Sequence, residues 1–249
     1  MRHTPSLAML AALTLFALHA QAADQARNVA PFTAMSNSGP ISISIDVGKT
    51  QSVTAFGNDT FINELTTDVV DGELRIRLRD RGITGTLGDP RIVITLPQLT
   101  RFTMAGAGAT TITHASGDSL ELNYSGAGSL KADGNVNKLV LMVGGVGSID
   151  AKALHADTAT VTVGGVGSVK VYASTRLDAA VGGVGSLTYY GNPKTVNSTG
   201  GGLGSVSPGK LCAATRVARS GAPLWGQCAH PHSPRRGRTS SSAPRAAFA

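Results

Sequence analysis

Apolar and polar residues alternate along much of this chain. ISISIDV at 41–47 alternates strictly, as do QSVTAF at 51–56, ELRIRLR at 73–79 and RIVITL at 91–96. A period of two marks a strand with one buried face. Asp71-Gly72 supplies a hairpin-type turn before the third run. These runs predict a β-rich N-terminal segment over 24–97, acting as a cap or as the first irregular coils of a longer stack. No stretch there shows a helical period. Phe32, Phe56 and Phe61 put the larger core side chains at that end.

Beyond residue 97 the alternation repeats on a longer scale. Six copies of one phrase read MAGAGAT at 104–110, YSGAGSL at 124–130, VGGVGSI at 143–149, VGGVGSV at 163–169, VGGVGSL at 181–187 and GGGLGSV at 200–206. Their first glycines are Gly106, Gly126, Gly145, Gly165, Gly183 and Gly202, separated by 20, 19, 20, 18 and 19 residues. A nearly fixed period means one supersecondary unit stacked on copies of itself. Two residues before these glycines stand Met104, Tyr124, Val143, Val163, Val181 and Gly200. Four before stand Phe102, Leu122, Leu141, Val161, Ala179 and Ser198. Four after stand Thr110, Leu130, Ile149, Val169, Leu187 and Val206. These columns read as an inward face. The glycines fall where the chain must bend and backbones approach closely, so their role is structural. Ser129, Ser148, Ser168, Ser186 and Ser205, three after, form a column able to bond along the stack.

The charges give an independent check of the register. Lys131, Asp150 and Lys170 share a column and alternate in sign; Arg101 falls beside Glu121, and Asp133 beside Lys152. Unlike charges side by side are what a parallel stack favours. The expected fold is therefore all-β: a parallel β-helix or β-solenoid, right-handed by preference. It has about six glycine-rich coils of 18–20 residues over 98–207, some 29 Å along the axis at roughly 4.8 Å per coil.

Composition agrees. Aromatic residues make up 4% of 249 residues and glycine accounts for 31, which suits a thin stack of small side chains. The net charge of +7 is confined to the end. From Pro208 on there are 7 basic residues and no acidic ones, so the rest carries 22 − 7 = 15 basic against 15 acidic residues. The high pI thus describes a tail and does not indicate a nucleic-acid-binding domain. Segment 208–249 is rich in Pro, Ser and Arg and is expected to be disordered. At the other end, Arg2 and His3 precede an apolar run from Leu7 to Ala20, followed by Ala20-Gln21-Ala22. Residues 1–22 read as a cleaved secretory signal. No later stretch is long and apolar enough to cross a bilayer as a helix. The expected location is the periplasm, the cell surface or the extracellular space.

Several motifs resolve into structure on inspection. Gly-Gly-Val-Gly lacks the following helix and Lys-Ser/Thr of a phosphate loop. GGVGSID at 144–150 has one Asp where calcium-binding repeats need one per nine residues. Asp118, Glu121, Asp133, Asp150, Asp157 and Asp178 scatter over several columns, with no pair set apart for acid–base work. His114 and His155 read as turn or surface residues. Cys212, Cys228, His230 and His232 fit no strong zinc spacing, although the cysteines could close a disulfide. No cofactor and no metal are expected. Tyr172 and Tyr190 fall in one column of consecutive coils and are the candidate glycan contacts.

The glycine-serine repeats, with FTAMSNSGPISISIDVG at 32–48, DGELRIRL at 71–78 and ITLPQLTRFTMAGAG at 94–108, resemble the head GIN domain family of autotransporter adhesin-like proteins. The likeness covers about residues 30–207, in order. It implies a secreted or periplasmic β-helical module without catalysis, and it carries no catalytic residues over. The roughly 40 residues after the last repeat are too few for an autotransporter barrel, whose smallest form has 8 strands. The expected function is a binding or adhesion module of the cell envelope, with surface glycans or envelope proteins as partners and no nucleic acid. The alternatives are an enzyme modifying envelope polysaccharides and an assembly protein pairing through an exposed end coil.

Overall fold

The computed structural model describes residues 23–79 and 89–210. The expected leader at 1–22 lies outside the described residues, as do Cys212, Cys228, His230 and His232. The alternating runs become strands. The N-terminal segment holds β1 (Ala23–Ala26), β2 (Ala34–Asn37), β3 (Ser42–Val47), β4 (Ser52–Gly57), helix α1 (Asp59–Glu64), β5 (Leu65–Val70), β6 (Glu73–Leu78) and β7 (Arg91–Leu96). The repeats supply β8 (Arg101–Met104), β9 (Ala107–Tyr124), β10 (Ala127–Val143), β11 (Val146–Val163), β12 (Val166–Tyr172), β13 (Arg176–Val181), β14 (Val184–Tyr190), β15 (Thr195–Gly200) and β16 (Ser205–Pro208).

From β8 onward every pairing is parallel, coil on coil, and the strands build a β-solenoid of about five turns. Six glycine phrases bound five full turns; the last phrase opens a turn that the described residues do not complete. The phrases stand in register, Gly108 on Gly128, Gly147, Gly167 and Gly185. The inward columns are buried as the alternation requires. Phe102, Leu122, Leu141 and Val161 are each 0% exposed, and Tyr124 is 1% exposed. Each such side chain stabilises the fold by about 1.5–3 kcal/mol relative to exposure. The column narrows from Phe102 to Ala179 and ends at Ser198, in a strand exposed along its whole length.

The unequal coil lengths are absorbed by bulges. The coil from Gly126 is one residue shorter than its neighbours on either side, and the ladder slips there by one: Asp133 pairs with Ala153, passing over Lys152. This corrects the expected Asp133–Lys152 neighbourhood. Asp133 instead accepts a hydrogen bond from the backbone N–H of His114, the bulged residue of the coil before, which sits at φ 56°. Lys152 pairs with Asp150 on its own strand at 3.7 Å. The other two charge columns hold their register: Lys131 faces Asp150, Asp150 faces Lys170, and Arg101 lies beside Glu121.

The N-terminal segment contributes both coils and a cap. β2 and β3 pair in parallel with β8 and β9, so residues 34–47 form a coil of the stack. Gly39 stands there in the glycine column, under Gly106. Asn37 is fully buried at this bend. Its amide donates to the carbonyls of Gly39 and Ile41, and its Oδ1 accepts from the Gly39 N–H at 3.0 Å. β6 and β7 lie beyond, parallel to β2 and β3. The direction then reverses: β5 runs antiparallel on β6, β4 on β7 and β1 on β4. Asp71 and Gly72, at φ 53° and 75°, make the two-residue β5–β6 turn. A six-residue helix, absent from the periodicity, lies at this end. Asn58 caps α1 by accepting from the Phe61 N–H at 2.9 Å, and Phe61 is 0% exposed. Phe32 is also buried, whereas Phe56 is half-buried with the Arg91 guanidinium over its ring.

Candidate functional site

With its interior filled by apolar columns, the solenoid offers its outward columns to partners. The ones preceding the glycines are the more varied. On β8 and β9, Arg101 Nε donates to Glu121 Oε2 at 3.0 Å, and Asn123 donates to Glu121 Oε1 at 2.9 Å. The Asn123 amide, then the Arg101 guanidinium, hold the Glu121 carboxyl below the usual glutamate range. The next strand segment carries Lys138, Val140 and Met142, and the one after it Thr158, Thr160 and Thr162, each residue directly beside its counterpart. Further along, Arg176 makes two bonds to Asp178, at 2.7 and 2.9 Å, and Asn197 a third at 2.7 Å. Arg176, then Asn197, lower the Asp178 pKa. A shallow groove of about 280 Å³ lies at the Arg101–Lys138 end, floored by Leu120 and Val140.

At the glycine corner, a Cβ on Gly126, Gly145, Gly165 or Gly183 would come within 2.0 Å of a backbone oxygen in the preceding coil. A Cβ on Gly106 would lie 2.0 Å from Gly39 O, and one on Gly202 would lie 2.5 Å from the oxygens of Gly182 and Gly183. Beside this column runs an apolar ridge of Val146, Val166, Val184 and Leu203, all exposed.

Tyr172 and Tyr190 are paired in adjacent strands. Both are half-buried. The His155 ring meets Tyr172 edge-on at 4.2 Å between centroids. Gly191 lies against Tyr172 and Gly209 against Tyr190. The row therefore packs along the stack and leaves part of each ring to solvent.

The six carboxylates singled out in the repeats all hold a neighbour. Asp118 accepts from Asn137, Glu121 from Arg101, Asp133 from the His114 N–H, Asp150 from the Lys152 N–H, Asp157 from Ser174 and Asp178 from Arg176. For Glu121 and Asp178 these partners favour the charged form, which leaves either group a poor proton donor near neutrality. Among the described residues no group of three His, Cys, Asp or Glu side chains could hold a metal ion, and no helix is long and apolar enough to cross a membrane. One cluster is not legible in the repeat columns: Asp46 accepts from His114 Nδ1 at 2.8 Å and pairs with Lys49. Lys49, then His114, lower the Asp46 pKa. Asp46 and His114 are 68 residues apart in sequence, and the stacking of β3 on β9 brings them together.

Residues 31–193 match the family described as "Putative auto-transporter adhesin, head GIN domain". The chain belongs to the head GIN domain family. A search of functionally curated proteins returns no match. Among solved structures, a "putative adhesin" from Bacteroides fragilis is 22% identical with a TM-score of 0.64, over 76% of this chain and 98% of that one. At that identity the likeness shows a shared fold. A "putative adhesin" from Parabacteroides merdae (14% identity, TM-score 0.41, covering 77% and 97%) and a "putative lipid binding protein" from Parabacteroides distasonis (17%, 0.43, 77% and 98%) are more remote.

Proposed function

We propose that this head GIN protein is an exported, non-catalytic adhesion module of the cell envelope. The observation that carries the reading is the ladder itself. Parallel pairing fixes outward side chains at one spacing, coil after coil, and the carboxylates among them are engaged by neighbours rather than gathered around a cleft. A surface of that kind suits multivalent contact with a repetitive partner. Family membership agrees with it, as does the apolar run at 7–20 with its Ala20-Gln21-Ala22 site. Tyr172 and Tyr190 are proposed as glycan contacts through the parts of their rings left open.

The test is binding of the chain from Ala23 onward to immobilised envelope preparations and to a glycan array, beside a form ending at Pro208. Selective, saturable binding by both forms supports adhesion through the coils. Binding by the longer form alone, lost with added salt, assigns it to the basic tail. Absence of binding by both removes the reading. Replacing Tyr172 and Tyr190 together by Ala, with no loss of glycan binding, removes those residues from it.

A further inference from the structure

Three adjacent strand segments differ in what they show to solvent. Lys138, Val140 and Met142 face outward from β10, and Met142 is 49% exposed. Beside them β9 offers Ser119, Glu121 and Asn123; on the other side β11 offers Thr158, Thr160 and Thr162. An apolar floor one strand wide thus lies between two rows of hydrogen-bonding groups. From Lys138 to Met142 it runs about 13 Å at the rise of an extended strand. The position is unusual, since outward sites of a half-buried strand are ordinarily polar.

The charges around the floor are unequal. Arg101 and Arg176 are each committed to a carboxylate, and Glu121 is neutralised by Arg101. Lys138, by contrast, makes no ion pair among the described residues. It borders the groove of about 280 Å³ at the end of the floor. An apolar strip flanked by donors and acceptors complements a pyranose, which has a C–H face and a rim of hydroxyls. A free ammonium at one end complements a carboxylate.

We infer that the strip from Lys138 to Met142 binds an acidic oligosaccharide. Its ring faces lie on Val140 and Met142, its hydroxyls bond to Glu121, Asn123 and the threonines, and a uronate carboxylate meets Lys138. This rests on the adhesion reading and names a partner class for it.

The test titrates the chain from Ala23 onward with trigalacturonate and with its fully methyl-esterified, uncharged counterpart, by calorimetry or by NMR shifts. The acid is expected to bind and the ester to bind at least about tenfold more weakly, the loss of one charge-assisted contact. Lys138→Glu should cost the acid a similar factor, and Met142→Ser should weaken both ligands several-fold. Both sites are on the surface, so circular dichroism and the melting temperature should not move. No binding of trigalacturonate by the unaltered chain overturns the inference, as does equal binding by Lys138→Glu. Envelope binding that persists in Lys138→Glu would leave the adhesion reading standing while this site falls. Envelope binding that survives periodate destruction of glycans would point to a protein partner and also overturn it.

Discussion

A side chain on Gly145 would begin where the carbonyl oxygen of Gly126 already stands, 2.0 Å away. Gly144, its immediate neighbour, has nothing within 4 Å of the same construction, and the equivalent place in earlier coils is taken by Ala105 and Ser125. Two adjacent glycines of one phrase thus differ in kind. Gly145→Ala pushes backbone against backbone in a ladder that cannot give locally. It should destabilise at the upper end of the roughly 1–3 kcal/mol seen for overpacking. Gly144→Ala should change stability by less than about 0.5 kcal/mol. Urea denaturation of the two variants checks this, and equal midpoints would mean that the corner relaxes freely.

Thr110 occupies an inward column otherwise filled by Leu130, Ile149, Val169, Leu187 and Val206. It is 1% exposed, and its hydroxyl oxygen is buried without a hydrogen-bond partner. A buried hydroxyl left unbonded costs about 1–3 kcal/mol. Val has nearly the same shape without that cost. Thr110→Val is therefore expected to raise stability by about 1 kcal/mol, seen as a higher melting temperature. A variant no more stable than the parent would show that the hydroxyl is satisfied in solution.

The repeat region is legible because its signal is redundant. Glycine, apolar and charge columns all point to one register, and Arg101–Glu121 and Lys131–Asp150 stand where that register puts them. What fails is local. Asp133 and Lys152 align when counted from a glycine, and counting cannot see where a longer coil bulges. Residues 41–47 read as strand, and the periodicity leaves open whether their segment is cap or irregular coil, because Ile41 stands where the second glycine would be and buried Asn37 makes the bend. Helix α1 is too short to show a period. The strip beside Lys138 is hidden because Val140 and Met142 look like core residues until the register turns them outward.

Acid should loosen the stack in a defined window. The folded-state pKa values of Asp46, Glu121 and Asp178 lie below their ordinary values, through Lys49, Asn123 and Arg176 as the respective leading causes. Protons then bind the unfolded chain more readily than the folded one. The stabilisation from these groups is present above the ordinary carboxylate range of about 4 and is lost as pH falls through the lowered values. Melting temperature should be flat between about pH 5 and pH 8 as far as these groups are concerned, and should drop below about pH 4. Asp46→Asn, Glu121→Gln and Asp178→Asn together should flatten that drop. An unchanged acid limb in the triple variant would assign it to other groups.

The far end of the solenoid is blunted by composition. In the column four residues before the glycines, Phe102, Leu122, Leu141, Val161 and Ala179 are buried, and the series ends in exposed Ser198. Gly200 closes the neighbouring column, where Val143, Val163 and Val181 precede it, and has open space around it. Among the described residues no strand pairs on the outer side of β15. Such an edge offers unpaired backbone groups to any extended chain, and a polar, poorly filled last layer is one way to discourage that pairing. Restoring the column with Ser198→Val and Gly200→Val should therefore create a sticky end. The double variant should show a mass by light scattering that rises with concentration more steeply than the parent's, with a sheet spectrum unchanged. A variant that behaves like the parent would show that the polar residues of the last coil do not guard the edge, and that something else at this end does.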